Sequence, residues 1–189
     1  MKKLILMTVT LTGLSLSQLA FGQNNSAQAK NYFSKYKDKK TFTELCIKSL
    51  PTLEECKLVF KGQNAYTYFG SLEDWKKVLN AELKKQPETY VELIVQSFTT
   101  EDIQRKKGNY AGGMQNLSDK LLQDITFYNI DMLKEKGDKD GVNYQSWVNI
   151  NGKWVCFPKP WQSFGKSDAK NADEKDVKKG EAKSVKKGE

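Results

Sequence analysis

The dipeptide Asn151-Gly152, set between VNYQSWVNI and KWVCF, constrains this chain more than any other feature. Two residues that accept left-handed backbone, flanked by alternating aromatic and β-branched positions, specify a two-residue hairpin. Such a turn also fixes register. Ile150 then faces Lys153, Val148 faces Val155 and Ser146 faces Phe157, while Asn149 faces Trp154 and Trp147 faces Cys156. One face carries Tyr144, Val148, Ile150, Val155 and Phe157 and reads as core. The other carries Gln145, Trp147, Asn149, Trp154 and Cys156, too apolar for plain solvent, so a helix, a partner chain or a ligand is expected to cover it. Pro158 and Pro160 end the strand by withdrawing backbone donors.

The segments before the hairpin fall into two groups. Residues 125–134 read as a strand preceding the hairpin. Residues 89–98 read as another, with Val91, Leu93 and Val95 alternating against Tyr90, Ile94 and Phe98, a pattern expected of a strand covered on both faces. Helical spacing dominates earlier. Ala29, Tyr32, Phe33 and Tyr36 mark an opening helix over 26–37. Thr41 or Thr43 is expected to cap a second, which Pro51 stops, and Thr52 with Glu55 has capping-box spacing for a third. Ser71 opens a fourth, with Leu72, Trp75, Leu79 and Leu83 on one stripe and Pro87 beyond it. Short helices are also expected over 100–107 and from Met114 through Leu117 and Leu121, joined by the glycine-rich NYAGGM. Helices first, then a meander, make an α+β domain in which N-terminal helices pack on a curved antiparallel sheet.

Composition sets the limits of the folded part. Lys2 and Lys3, an apolar run over 4–19 and the small residues Ala20 and Gly22 have the three-part layout of a signal peptide, so residues 1–22 are expected to be removed on export. The apolar run is shorter than the roughly 20 residues of a permanent span. Over 166–189, 14 of 24 positions are Lys, Asp or Glu and none is aromatic. A disordered tail is expected there, because so little apolar surface cannot offset the entropy of ordering. Residues 23–165 remain as one domain. The formal charge of +8 includes two leader lysines and a tail of 8 Lys against 6 acids, which leaves +4 on the domain. Arg105 is the only arginine, and arginine is the residue that reads guanine edges, so specific nucleic-acid binding is not expected. A weak attraction of the tail to an anionic surface is compatible with its lysines.

The cysteines are Cys46, Cys56 and Cys156. Cys46 and Cys56 flank Pro51 and are candidates for a disulfide across a helical corner, with pairing to Cys156 also open.

Element order, together with the G-x-W turn of INGKWVCF, resembles the NTF2-like superfamily of cystatin-like α+β rolls over about residues 71–161. The resemblance implies a sheet wrapped around helices to form a cone-shaped pocket. In such a pocket the strand carboxylate Asp131, in the company of Tyr128 or Tyr144, would serve as a general base for a lyase, hydratase or isomerase.

Other chemistries are constrained directly. The chain has no histidine, which removes the Ser-His-Asp and Cys-His forms of nucleophile activation. No phosphate-binding loop or dinucleotide fingerprint occurs, and no cofactor or metal is expected. Asp138, Asp140 and Gly141 have part of a calcium loop's spacing but lack its closing glutamate, and read as a polar turn. The function expected is therefore a non-enzymatic exported domain that binds a small apolar ligand or a protein partner through the face bearing Trp147 and Trp154, with Tyr110 and Met114 as a pocket rim. The enzyme using Asp131, and a surface-interaction protein acting through its basic tail, are the alternatives.

Overall fold

A computed structural model describes residues 26–86, 88–138 and 141–164. Five helices come first. α1 (Ser26–Phe33) is followed by α2 (Lys39–Lys48), whose cap is Asp38 rather than a threonine: its Oδ1 accepts from the Thr41 N–H at 2.8 Å. Both donors and acceptors expected of the capping box are present at α3 (Leu53–Lys57), where the Thr52 N–H donates to Glu55 Oε2 at 2.8 Å and the Glu55 N–H to Thr52 Oγ1 at 3.2 Å. α4 (Gln63–Gly70) has no counterpart among the expected elements and runs into α5 (Leu72–Glu82). Ser71 between them keeps helical backbone, and its hydroxyl donates to the Tyr68 carbonyl at 2.7 Å instead of capping α5.

The strands are β1 (Glu92–Thr99), β2 (Thr126–Leu133), β3 (Gly141–Ile150) and β4 (Lys153–Cys156), joined in the antiparallel order β1-β2-β3-β4. α6 (Thr100–Arg105) follows β1 and is capped by Thr99, one residue earlier than its expected start. The helix expected from Met114 is only a 3-10 turn, Gly112–Leu117. The chain beyond it instead pairs with the α3–α4 junction, through Lys61 N–H to Lys120 O at 2.8 Å and Leu122 N–H to Val59 O at 2.9 Å. The hairpin has the expected register, and Asn151 and Gly152 take φ of 52° and 84°. A second 3-10 turn, Pro160–Phe164, ends the described chain.

The register breaks once. Tyr128 pairs with Trp147 but Ile130 pairs with Tyr144, so Gln145 and Ser146 oppose Asn129 alone. Ser146 carries the bulge at φ 66°, and its N–H donates to Asn129 Oδ1 at 3.3 Å. The extra residue reverses alternation, and Tyr144 therefore lies on the same side as Trp147, not with Val148 as strict alternation requires.

Helices cover both faces. Phe98, Phe127, Val148, Ile150, Val155 and Phe157 pack with Cys56, Phe60, Tyr68 and Leu117 in a first core under α3 and α4. Leu93, Tyr128, Ile130, Trp147, Trp154 and Cys156 pack with Phe33, Phe42 and Cys46 in a second core under α1 and α2. Each fully buried large side chain contributes about 1.5–3 kcal/mol. The chain passes from one face to the other at the β4 edge, where the Cys156 N–H donates to the Ser49 carbonyl at 2.8 Å. β1 forms the opposite edge, and its outer positions are not fully covered: Ile94 and the preceding Val91 are exposed. The expectation of a strand buried on both faces fails there: only Leu93 and Phe98 of β1 are fully buried, Val95 is partly covered by the second core, and Ile94 faces outward.

Candidate functional site

β3 is longer than β4, and the mismatch builds a site. β4 pairs only with Trp147–Ile150, so Gly141–Gln145 has no strand partner on that side among the described residues. α5 crosses beside this gap, and α2 lies against α5. Between them is an open cleft of about 260 Å³. α2 lines it with Lys39, Thr43 and Cys46, one helical face at spacings of four and three. α5 contributes Trp75, Val78, Leu79 and Glu82 by the same periodicity. Val142 to Gln145 of β3, with Cys156, Pro158 and Lys159, complete the lining.

The cleft is apolar along its walls and polar at one end. There Lys39 Nζ lies 2.9 Å from Glu88 Oε1 and 3.8 Å from Glu82 Oε2, and Lys134 reaches Glu88 Oε2 at 2.8 Å. Hydrogen bonds from Lys134 and Lys39 bring the Glu88 carboxyl down to about 2, and the bond to Glu88 raises Lys39 in turn. Tyr144 packs on Phe42 in a tilted arrangement with ring centroids 4.3 Å apart, and burial raises its hydroxyl well above the usual tyrosine value although Thr43 hydrogen-bonds it. Cys46 and Cys156 both line this cleft, and burial, with the neighbouring Cys156 thiol, raises Cys46. Gln145 Oε1 is buried with no hydrogen-bond partner among the described residues. With Cys46 and Tyr144 held protonated at neutral pH and the carboxylates at the end ion-paired, the arrangement is suited to holding a molecule rather than to attacking one.

The expected site residues fall elsewhere. Trp147 and Trp154 are 0% and 5% exposed. Phe33 packs on both, at 4.8 Å and 5.1 Å between centroids, and Phe42 lies 5.8 Å from Trp147. At these two tryptophans the sheet face is thus closed by the chain's own helices. Met114 is buried in the first core, and Tyr110 packs against Phe98 at 5.3 Å; neither lines the cleft. Asp131 accepts a hydrogen bond from Asn143 Nδ2 on the neighbouring strand and does not line the cleft. Tyr128 is buried on the opposite face, because positions three apart in a strand point to opposite sides, and the bulge turns Tyr144 to that side too. The structure does not bring the acid and the tyrosines together.

Cys46 and Cys56 also separate. Pro51 turns the chain around the β4 edge, which puts Cys46 in the second core and Cys56 in the first, so the expected corner bridge is not formed in this structure, where all three cysteines are free. Asp138 accepts from the Glu135 N–H at 3.1 Å within a turn, while Asp140 lies outside the described residues. So do the expected leader and tail.

Of the cleft residues, sequence pattern pointed to Trp75 and Leu79 of the α5 stripe, to Gln145 and Cys156 on the face expected to be covered and, for other reasons, to Thr43, Cys46, Tyr144 and Pro158. The available signal was that stripe's width: Val78 beside Trp75 and Leu79 makes α5 apolar beyond what one core contact needs. No helix among the described residues is long and apolar enough to cross a membrane, and none of their acidic and cysteine side chains cluster as three or more metal-ligating groups. No family model, curated protein or solved structure matches the chain. What the fold defines is an α+β domain with an open four-stranded antiparallel sheet and helices on both faces.

Proposed function

We propose that this chain is an exported, non-catalytic binding domain that takes one small, mainly apolar ligand in the cleft between α2, α5 and β3. The cleft carries the reading. Its walls of Trp75, Val78, Leu79, Val142 and Pro158 surround one buried acceptor without a partner, Gln145 Oε1. Ligand sites have this character, apolar lining with a few fixed polar groups. A volume of about 260 Å³ limits the occupant to a compact molecule, and Gln145 favours one with a hydrogen-bond donor. Export rests on the leader-like residues 1–22, and the NTF2-like likeness belongs to the same proposal, since that superfamily also sets a pocket between helices and sheet.

Fluorescence titration with anilinonaphthalene sulfonate tests the reading. One site per chain is expected, lost in Val78→Trp, where an indole at an exposed rim position closes the mouth without disturbing either core. Equal binding by both proteins, or none by the wild type, would overturn it.

A further inference from the structure

We propose that Cys46 and Cys156 close a disulfide that ties α2 to β4 across the edge of the sheet, leaving Cys56 as the only thiol. The inference rests on cysteine geometry alone and stands whether or not the cleft holds a ligand. Two hydrogen bonds fix the backbones relative to each other. The Cys156 N–H donates to the Ser49 carbonyl at 2.8 Å, and the Ser49 N–H donates to the Cys46 carbonyl at 3.2 Å and the Leu45 carbonyl at 2.9 Å. The side chains meet on the same side of this linkage, both within the second core and both on the wall of the cleft. The Cys156 thiol is near enough to Cys46 to raise it, together with burial. A bridge here requires that the thiol pair lose its hydrogens and that the sulfurs draw together to a bond of about 2.05 Å. Cys56 lies in the other core, fully buried with Phe60 and Tyr68 and outside the cluster that holds the pair.

The odd cysteine number is explained by this arrangement. A pair positioned for oxidation and a third thiol shut away in a separate core can coexist in an oxidising compartment without exchange between them. The oxidant is a disulfide of low molecular weight or of a folding catalyst. One cysteine thiolate attacks a sulfur of R–S–S–R, forming a mixed disulfide and releasing one thiolate. The second cysteine thiolate attacks the protein sulfur of that mixed disulfide and releases the other. Two electrons and two protons pass from the cysteine pair to the oxidant, which leaves as two R–SH. Burial keeps Cys46 protonated in the folded chain, so closure belongs to folding, while the sulfurs still meet solvent.

The full chain, reduced in denaturant, is refolded in a mixture of oxidised and reduced glutathione, alkylated and digested without reduction. Mass spectrometry is expected to find the Cys46 peptide joined to the Cys156 peptide and Cys56 alkylated. A dominant bridge to Cys56, or three alkylated cysteines, would overturn the proposal. Thermal unfolding gives a second measure that needs no variant. The bridge spans about 110 residues of chain, and reductant is expected to lower Tm by roughly 5 to 15 °C. An unchanged Tm would count against the bridge, whereas Cys56→Ala is expected to keep the full response to reductant.

Discussion

Gly113 lies directly against the indole of Trp161: a Cβ at this glycine would stand 2.3 Å from Cδ1 and 2.6 Å from Nε1 of the ring. The contact joins the two 3-10 turns and seats Trp161 on the first core. A methyl group there forces the ring outward, so Gly113→Ala is expected to cost about 1–3 kcal/mol, the usual range for overpacking. Urea unfolding measures it, and a loss below about 0.5 kcal/mol would show that the ring shifts freely.

Ser146 makes the bulge with left-handed backbone, which costs a non-glycine residue about 1–2 kcal/mol. Glycine relieves that strain and forfeits the contact of Ser146 Oγ with Met114 Sδ at 3.7 Å. Ser146→Gly is therefore expected within about 1 kcal/mol of wild type. Ser146→Val, branched at Cβ and fully buried, is expected to lose more than about 2 kcal/mol. If the two variants unfold at the same denaturant concentration, the bulge is not what restricts this position.

Acid acts through Glu88. Its carboxyl, held down to about 2 by Lys134 and Lys39, lies below the unfolded value of about 4.3. The contribution is complete above that unfolded value and is lost as pH falls toward 2. Glu88→Gln is expected to be less stable than wild type at pH 7 and to converge with it near pH 2, as followed by denaturant titration across that window.

Alkali acts in the first core. Burial, ahead of the neighbouring Glu55 charge, pushes the Cys56 thiol up to about 12. The folded value lies above the unfolded one of about 8.5, so the contribution is whole below 8.5 and drains away as pH rises toward 12. The difference in stability between pH 7 and pH 10 is expected to shrink in Cys56→Ala. A variant losing as much as wild type would place the alkaline sensitivity elsewhere.

What was legible in the sequence was mostly local. The Asn151-Gly152 turn determined the β3–β4 register, and Thr52 with Glu55 determined where α3 begins, because each signal is complete within a few residues. Failures came where distant chain decided the outcome. Nothing near Ser146 announces a bulge, since its cause is the Asn129 side chain on the next strand, and one inserted residue sends Tyr144 to the other face. The cover over Trp147 and Trp154 was anticipated as a need, but that α1 and α2 supply it follows from where the helices pack. Ser71 looked like a cap and is an interior hinge between α4 and α5, because the preceding QNAYTYFG already turns as a helix. The cleft was the least legible, being formed by four separated segments whose residues are individually ordinary.

The inequality of the hairpin arms gives the molecule a length-controlled vacancy. β4 stops at Cys156, and after the Phe157 N–H donates to the Ser146 carbonyl at 3.0 Å no further residue of that arm pairs with β3, so the cleft occupies the place of the ladder's missing continuation. Widening or sealing this site is thus a matter of chain length in one arm as much as of the side chains around it. A two-residue extension of β4, with Pro158 moved outward, would exchange the cleft for a longer sheet.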